Sequence, residues 1–213
     1  MTEQPHASAC DIIALYERHA EAWDRLRGPT DDQPFEAPWL DRFLATLPAH
    51  PTLLDLGCGS GAPVTRYLVE AGASVTGVDS SPTLIAKSRA RFTGGDWIVA
   101  DMRGLDLGRR FDGLLAWNSF FHLAGDDQRA MFAVFAAHVR PGGSLMFTSG
   151  PEHGEAIGEF EGEALYHASL SAEEYRSLLA RAGFDVLEHV VRDATCGGAT
   201  VWLARREPFH SPH

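Results

Sequence analysis

Apolar positions between Asp11 and Arg27 (Ile12, Ile13, Leu15, Tyr16, Ala20, Trp23 and Leu26) recur at roughly helical spacing, and Gly28-Pro29 stops them. A polar stretch follows, then a short helix that opens near Pro38 and closes before Pro48. After Pro51 the pattern changes. Short apolar runs at Thr52–Leu56, Ser74–Val78, Trp97–Ala100, Phe111–Trp117 and Gly143–Ser149 read as strands. Helical stretches at Pro63–Ala71, Pro82–Phe92 and Asp126–Val139 separate them, two opening with a proline suited to the first turn. Alternating strands and helices imply crossover units and a mostly parallel sheet buried on both faces. The unbroken runs Leu53-Leu54 and Leu114-Leu115-Ala116 fit that burial.

The last third departs from this rhythm. Pro151–Ser169 is acidic and glycine-containing, too irregular to assign. Ser171-Ala172-Glu173-Glu174 has capping-box spacing and opens a helix that Gly183 ends. Phe184–Val191 and Thr200–Ala204 read as two strands joined across Cys196-Gly197-Gly198. The expected architecture is a single α/β domain: a doubly wound, mostly parallel, Rossmann-like sheet with a C-terminal antiparallel hairpin. A helical cap spans residues 1–48, a ligand-binding core 51–149, an acidic insertion 150–169, a closing helix and hairpin 170–205, and a tail 206–213.

The chain has 213 residues, 45 % of them hydrophobic and 22 % charged, which are globular proportions. Its 18 basic and 29 acidic residues leave a net charge of −11, which argues against nucleic acid as a partner. No apolar run approaches the roughly 20 residues of a membrane span. The start, MTEQPHASACDII, lacks the features of a signal peptide, so a cytoplasmic location is expected. Three scattered cysteines (Cys10, Cys58 and Cys196) spell neither a disulfide framework nor a metal site.

The strongest chemical signal is Leu53-Leu54-Asp55-Leu56-Gly57-Cys58-Gly59-Ser60-Gly61, a strand running into a glycine-rich turn that feeds a helix. Gly57, Gly59 and Ala62 also satisfy a dinucleotide-binding pattern, so the turn alone leaves a nicotinamide site open. Asp55, Asp79 and Asp101 end three successive strands, and in a parallel sheet they would line one crevice. Such a row repels a pyrophosphate. It suits a ligand carrying a positive charge, ribose hydroxyls and an exocyclic amine, because a carboxylate only accepts hydrogen bonds.

In these segments (LLDLGCGSG, VTGVDSS, VADM, FDGLLAWNS and HVRPGGSLMF, in that order from about Pro51 to Ser149) the sequence resembles the class I S-adenosylmethionine-dependent methyltransferases. The resemblance implies that family's fold, S-adenosylmethionine as cofactor and S-adenosylhomocysteine as product. It implies that Gly57, Cys58 and Gly59 pass the methionine portion and that Asp55 helps hold its ammonium. Asp79, with Ser80 beside it, takes the ribose hydroxyls, and Asp101 with the Met102 N–H brackets the adenine edge. In many members a helix with aromatics spaced like Tyr16 and Trp23 closes over the cofactor; packing on the sheet is the compatible bland reading.

Methyl transfer from a sulfonium is an in-line displacement that leans on positioning, and the cofactor carries the reactive group. Candidates for the remaining work cluster in Trp117-Asn118-Ser119-Phe120-Phe121-His122. His122 is the first choice for a base, or else a histidine satisfying local backbone. Asn118 and Ser119 orient an acceptor or cap a turn, and Trp117 lies against the adenine or in the core. The acidic insertion is a lid over a polar acceptor or a solvated loop, with Tyr166 and His167 its inward-packing aromatics. Arg27 reaches the methionine carboxylate or stays at the surface. The expected acceptor is an oxygen or nitrogen of a small molecule. A non-enzymatic cofactor-binding module is the alternative, and an NAD-dependent oxidoreductase the more distant one.

Overall fold

The computed structural model describes residues 8–28 and 34–208, so expectations for residues 1–7, 29–33 and 209–213 lie outside it. The cap contributes α1 (Ile12–Arg18), α2 (Ala20–Arg27) and α3 (Ala37–Ala45). The core runs β1 (Thr52–Leu56), α4 (Val64–Glu70), β2 (Ser74–Asp79), α5 (Pro82–Arg91), β3 (Asp96–Val99), β4 (Phe111–Ala116), α6 (Gly125–His138) and β5 (Val139–Ser149). A separate hairpin, β6 (Gly154–Phe160) and β7 (Glu163–Ser169), precedes α7 (Ala172–Arg181) and the closing strands β8 (Phe184–Asp193) and β9 (Ala199–Arg206).

The main sheet has seven strands in the order β3-β2-β1-β4-β5-β9-β8. The first five are parallel; β9 is antiparallel to β5, and β8 to β9. The order reverses at β1, which puts β1 and β4 side by side with connections leaving in opposite directions. That switch point is where open α/β sheets leave a crevice beyond the carboxyl ends of their strands.

Side chains alternate faces with a period of two. Leu54, Leu56, Leu114, Phe147 and Trp202 pack with Phe132 and Phe135 of α6 and Leu179 of α7 on one face. Leu53, Leu115, Met146, Val201 and Leu203 pack with Trp39, Leu40 and Phe43 of α3, Leu68 of α4 and Ile85 of α5 on the other. The doubly covered parallel sheet read from the sequence is therefore present.

Two elements differ from expectation. The single helix foreseen from Asp11 to Arg27 breaks at His19, whose backbone (φ −105°, ψ 20°) leaves the helical region. The segment left unassigned, 151–169, folds as an antiparallel hairpin across Glu161 (φ 53°) and Gly162 (φ 79°). Both turn residues sit in the left-handed region, as a tight two-residue hairpin loop requires. The strands escaped detection because β6 buries almost nothing along its length, so it has no reason to alternate apolar and polar residues.

Gln128 of α6 joins this hairpin to the core. Fully buried, its amide donates to Leu123 O at 2.8 Å and Ala168 O at 2.9 Å, and its carbonyl accepts from the Tyr175 hydroxyl at 2.5 Å. Gln128→Leu strands these three buried groups at once. The expected result is a loss of about 1–3 kcal/mol in urea unfolding, with an unchanged m-value.

Candidate active site

β1 ends in three glycines with left-handed backbones, Gly57 (φ 76°), Gly59 (φ 57°) and Gly61 (φ 77°). At Gly57 a side chain is also excluded sterically, since a Cβ there would lie 2.2 Å from that of Ser119. The loop is stapled to the next strand: Gly57 and Cys58 N–H donate to Val78 O at 2.7 and 3.1 Å. Gly59 N–H donates to the Asp79 carboxylate at 2.8 Å, whose other oxygen accepts from Ser81 N–H at 2.9 Å. Ser119 hydroxyl donates to Leu56 O at 2.7 Å, which fixes the loop after β4 against the glycine turn.

A cavity of about 90 Å³ lies beyond these strand ends. Tyr16 and Trp23 line it from the cap, Gly57 and Gly59 from the glycine turn, and Asp79 and Ser80 from the end of β2. Asp101 and Met102 line it after β3, Asn118 and His122 after β4. The ten sit on five separate segments and are brought together only by the fold.

The cap is fastened from two sides. Glu17 accepts from the hydroxyls of Ser81 and Thr83, Lys87 pairs with Glu21 at 2.9 Å, and Arg91 binds Asp24 at 2.7 and 2.8 Å. On the hairpin side Arg18 and His19 both reach Glu163, and the Phe160 ring sits 6.1 Å from Tyr16 and 5.7 Å from Trp23. Neither Glu17 nor Phe160 carries a sequence signal for this role, because each acts through a partner more than 60 positions away. Arg103 lies on the cavity wall without having been anticipated, holding Asp101 at 2.6 Å and Asp127 at 3.2 Å.

Other residues fall elsewhere. Asp55 does not complete the expected row of carboxylates. Its side chain is buried toward α4, where it accepts from the Thr65 hydroxyl at 2.6 Å. Burial, with the Asp79 charge adding to it, pushes its carboxyl up to about 7. Burial also raises Asp79 above the usual carboxylate range, against the pull of its backbone hydrogen bonds. At Asp101 burial is outweighed by Arg103, and the carboxyl sits below its usual range. The Cys58 thiol packs beneath the glycine turn beside Gly77, and burial drives its pKa well up. Trp117 is in the core cluster under β1 and β4. Arg27 pairs with the buried Glu36, away from the cavity.

His122 is the most constrained of the polar side chains. Nδ1 lies 2.8 Å from Tyr166 O, a carbonyl that can only accept, so Nδ1 carries the proton. Nε2 is then the lone-pair nitrogen, and the Tyr16 hydroxyl donates to it at 2.9 Å. Burial, more than the nearby His167, lowers its pKa to about 4, so the ring is neutral at pH 7 with its basic nitrogen on the cavity side. Tyr166 itself contributes that carbonyl, while its hydroxyl donates to Glu155 at 2.7 Å and its pKa is pushed up to about 12, chiefly by burial. His167 does not line this cavity; its ring stands 4.8 Å from that of His122.

A switch-point crevice with a glycine turn, carboxylates after β2 and β3 and an aromatic roof defines a ligand-binding domain of the doubly wound class. Residues 31–189 match the family described as a methyltransferase domain, and the chain belongs to that family. It is 31 % identical over 143 residues to a dTDP-3-amino-3,6-dideoxy-alpha-D-glucopyranose N,N-dimethyltransferase of Streptomyces fradiae, covering 66 % of this chain and 45 % of that protein. An O-methyltransferase of Pyrenophora dematioidea is 26 % identical over 220 residues, covering 89 % of this chain and 81 % of that one. Against most of the curated relatives the match spans about half of their length or less. Among solved structures, an S-adenosylmethionine-bound amino pentose methyltransferase from Micromonospora echinaspora superposes with a TM-score of 0.66 at 24 % identity, over 87 % of this chain and 95 % of that one.

Two measurements check this electrostatic picture. In a nitrogen-15 NMR titration His122 is expected to show protonated Nδ1 and bare Nε2 at neutral pH, and to titrate near 4; a midpoint near 6.5 contradicts the buried geometry. Asp55 ionises near pH 4 in the unfolded chain but at about 7 in the fold, so its contribution to stability is complete below about 4 and lost as pH rises through 7. Asp55→Asn is therefore expected to raise stability by about 1 kcal/mol or more at pH 8 and to change it little near pH 4.

Proposed function

We propose that this chain transfers a methyl group from S-adenosylmethionine to a nitrogen or oxygen of a small molecule. The observation that carries the reading is the placement of His122, a neutral ring on the wall of the same cavity as the glycine turn, Asp79 and Asp101, with Nε2 bonded to the hydroxyl of Tyr16, which lines that cavity too. The fit to the cofactor rests on the walls. Gly57 offers bare backbone where a side chain does not fit, Gly59 keeps a left-handed backbone beside it, and Asp79 and Asp101 bring acceptor oxygens of the kind that hydroxyls and an amine require.

Bound there, the cofactor supplies an electrophilic methyl on a sulfonium. Gly57, Cys58 and Gly59 would pass its methionine portion by their backbone, with Asp55 buried behind them and turned to Thr65. Asp79 and Ser80 take the ribose, and Asp101 with the Met102 N–H takes the adenine edge, leaving Trp117 as core support. Tyr16 and Trp23 close the cap and exclude water, which strengthens every charge interaction inside. Asn118, Tyr166 and His167 face the acceptor side, Tyr166 through the backbone carbonyl that sets the His122 tautomer.

The methyl would leave the cofactor's sulfur for the acceptor, and His122 Nε2 would take the proton the acceptor loses, in place of the hydrogen bond it accepts from the Tyr16 hydroxyl. A base held to about 4 takes that proton late, once the acceptor atom has become positive. Such timing suits an amine better than an alcohol. The amino-sugar N,N-dimethyltransferase among the relatives supports the same preference.

The test is thermal unfolding with S-adenosylmethionine, S-adenosylhomocysteine and NAD in parallel. The two sulfur nucleosides at 100 times their Kd are expected to add about 2.7 kcal/mol, and Asp79→Ala to remove most of it. His122→Ala is expected to keep the cofactor shift and lose about 10²–10⁴-fold in turnover. Stabilisation by NAD alone overturns the reading.

A further inference from the structure

A second cavity, of about 420 Å³, lies between the loop after β5 and the open end of the β6–β7 hairpin. Its size falls in the ~300–1,000 Å³ range of small-molecule sites. Its inner wall is made by the rings of Phe121 and His167. These two rings stand 4.8 Å from His122, Phe121 edge-on and His167 tilted, and 5.3 Å from each other. His122 in turn lines the cofactor cavity. Three aromatic rings therefore form one partition with a cavity on each side.

The polar lining has a definite hydrogen-bonding character. The buried Ser149 hydroxyl donates to Gly150 O at 2.9 Å, and the buried Ser169 hydroxyl has the carbonyls of Leu170 at 3.1 Å and Gly150 at 3.2 Å as acceptors for its proton. Glu152 and Glu155 bring carboxylates, and no Lys or Arg lines the space. Arg192 pairs with Glu152 at 3.3 Å, both side chains being largely exposed, which leaves Glu155, accepting from the Tyr166 hydroxyl, as the carboxylate without a cation among the described residues. Apart from His153 and His167, the side chains offer acceptors only. A donor-rich ligand is matched here, and a phosphate meets the like charge of Glu155, with Arg192 already taken by Glu152. Methyl transfer moves positive charge from the cofactor onto the acceptor, and nearby carboxylates stabilise that charge as it develops.

We propose that this second cavity seats the methyl acceptor, with His167 the wall past which the acceptor reaches the cofactor, and that it selects an amine-bearing small molecule free of phosphate over a nucleoside-diphosphate-linked one. The proposal rests on the methyltransferase reading above. It parts company with the dTDP-sugar enzymes among the relatives at the acceptor's leaving of its nucleotide carrier.

The test uses the full chain with S-adenosylhomocysteine present. Free amino sugars such as glucosamine are titrated beside their phosphorylated and dTDP-linked counterparts, while the His167 ring protons are followed by NMR. The expected result is saturable perturbation of His167 by free amines, with binding at least tenfold weaker for each phosphorylated counterpart. Glu155→Lys, at an exposed position, is expected to narrow or invert that ratio while leaving S-adenosylhomocysteine affinity unchanged. Tighter binding of the dTDP-linked compounds, or binding that leaves His167 untouched, overturns the proposal, as does a panel in which no amine binds. Loss of S-adenosylhomocysteine binding itself instead overturns the methyltransferase reading, so the two failures are distinguishable.

Discussion

The Asp79 carboxylate, accepting Gly59 N–H with one oxygen and Ser81 N–H with the other, joins three parts of the molecule that the chain alone would leave independent. It holds the glycine turn after β1 in register with the end of β2. It sets the entry to α5, where the Ser81 hydroxyl caps Leu84 N–H. Because Glu17 of the cap binds that same Ser81 hydroxyl, the position of α1 is tied to the geometry of the strand end. The roof over the cavity is thus referenced to its floor through one carboxylate and one serine.

A site assembled this way keeps several acids out of water. Asp55 and Asp79 each lose hydration, and the charge of Asp79 adds to the cost at Asp55 as that of Glu17 does at Asp79, a conflict that a fold under selection for stability alone would remove. Titratable groups perturbed by burial and by one another inside a cleft mark places where charge is to be received. A cationic ligand relieves the repulsion it enters, so the destabilisation stored in the free protein returns as binding free energy. Asp101 is handled differently: Arg103 compensates it locally, its backbone N–H and guanidinium reaching both carboxylate oxygens.

The sheet was readable because its physics is local to each strand. A parallel strand covered on both faces is a continuous apolar run, and β1, β4 and β5 announce themselves as such. The glycine turn was readable for a related reason, since left-handed backbone at Gly57, Gly59 and Gly61 admits little else. The β6–β7 hairpin was not, because β6 lies open to solvent and its only mark is the Glu161-Gly162 turn. The clasp of Arg18 and His19 on Glu163 spans more than 140 positions and has no pattern at all along the chain. Asp55 misled for a subtler reason. Its strand position was right, but the Thr65 hydroxyl in α4 gives its carboxylate a buried partner, and side-chain direction at a strand end is decided by such partners.

His122 shows how far residue type alone reaches. A histidine after the fourth strand suggests a base near neutrality, yet burial beneath Tyr16 and against His167 lowers its pKa and the Tyr166 carbonyl chooses its tautomer. The hairpin that supplies this carbonyl also supplies the wall of the second cavity and the aromatic closing the cap. Displacing β7 would therefore disturb base orientation, acceptor space and cap closure together. That shared dependence separates the two parts of the site: the glycine turn fixes only a backbone path, whereas the insertion carries the charge, the shape of the second cavity and the carbonyl that sets the His122 tautomer.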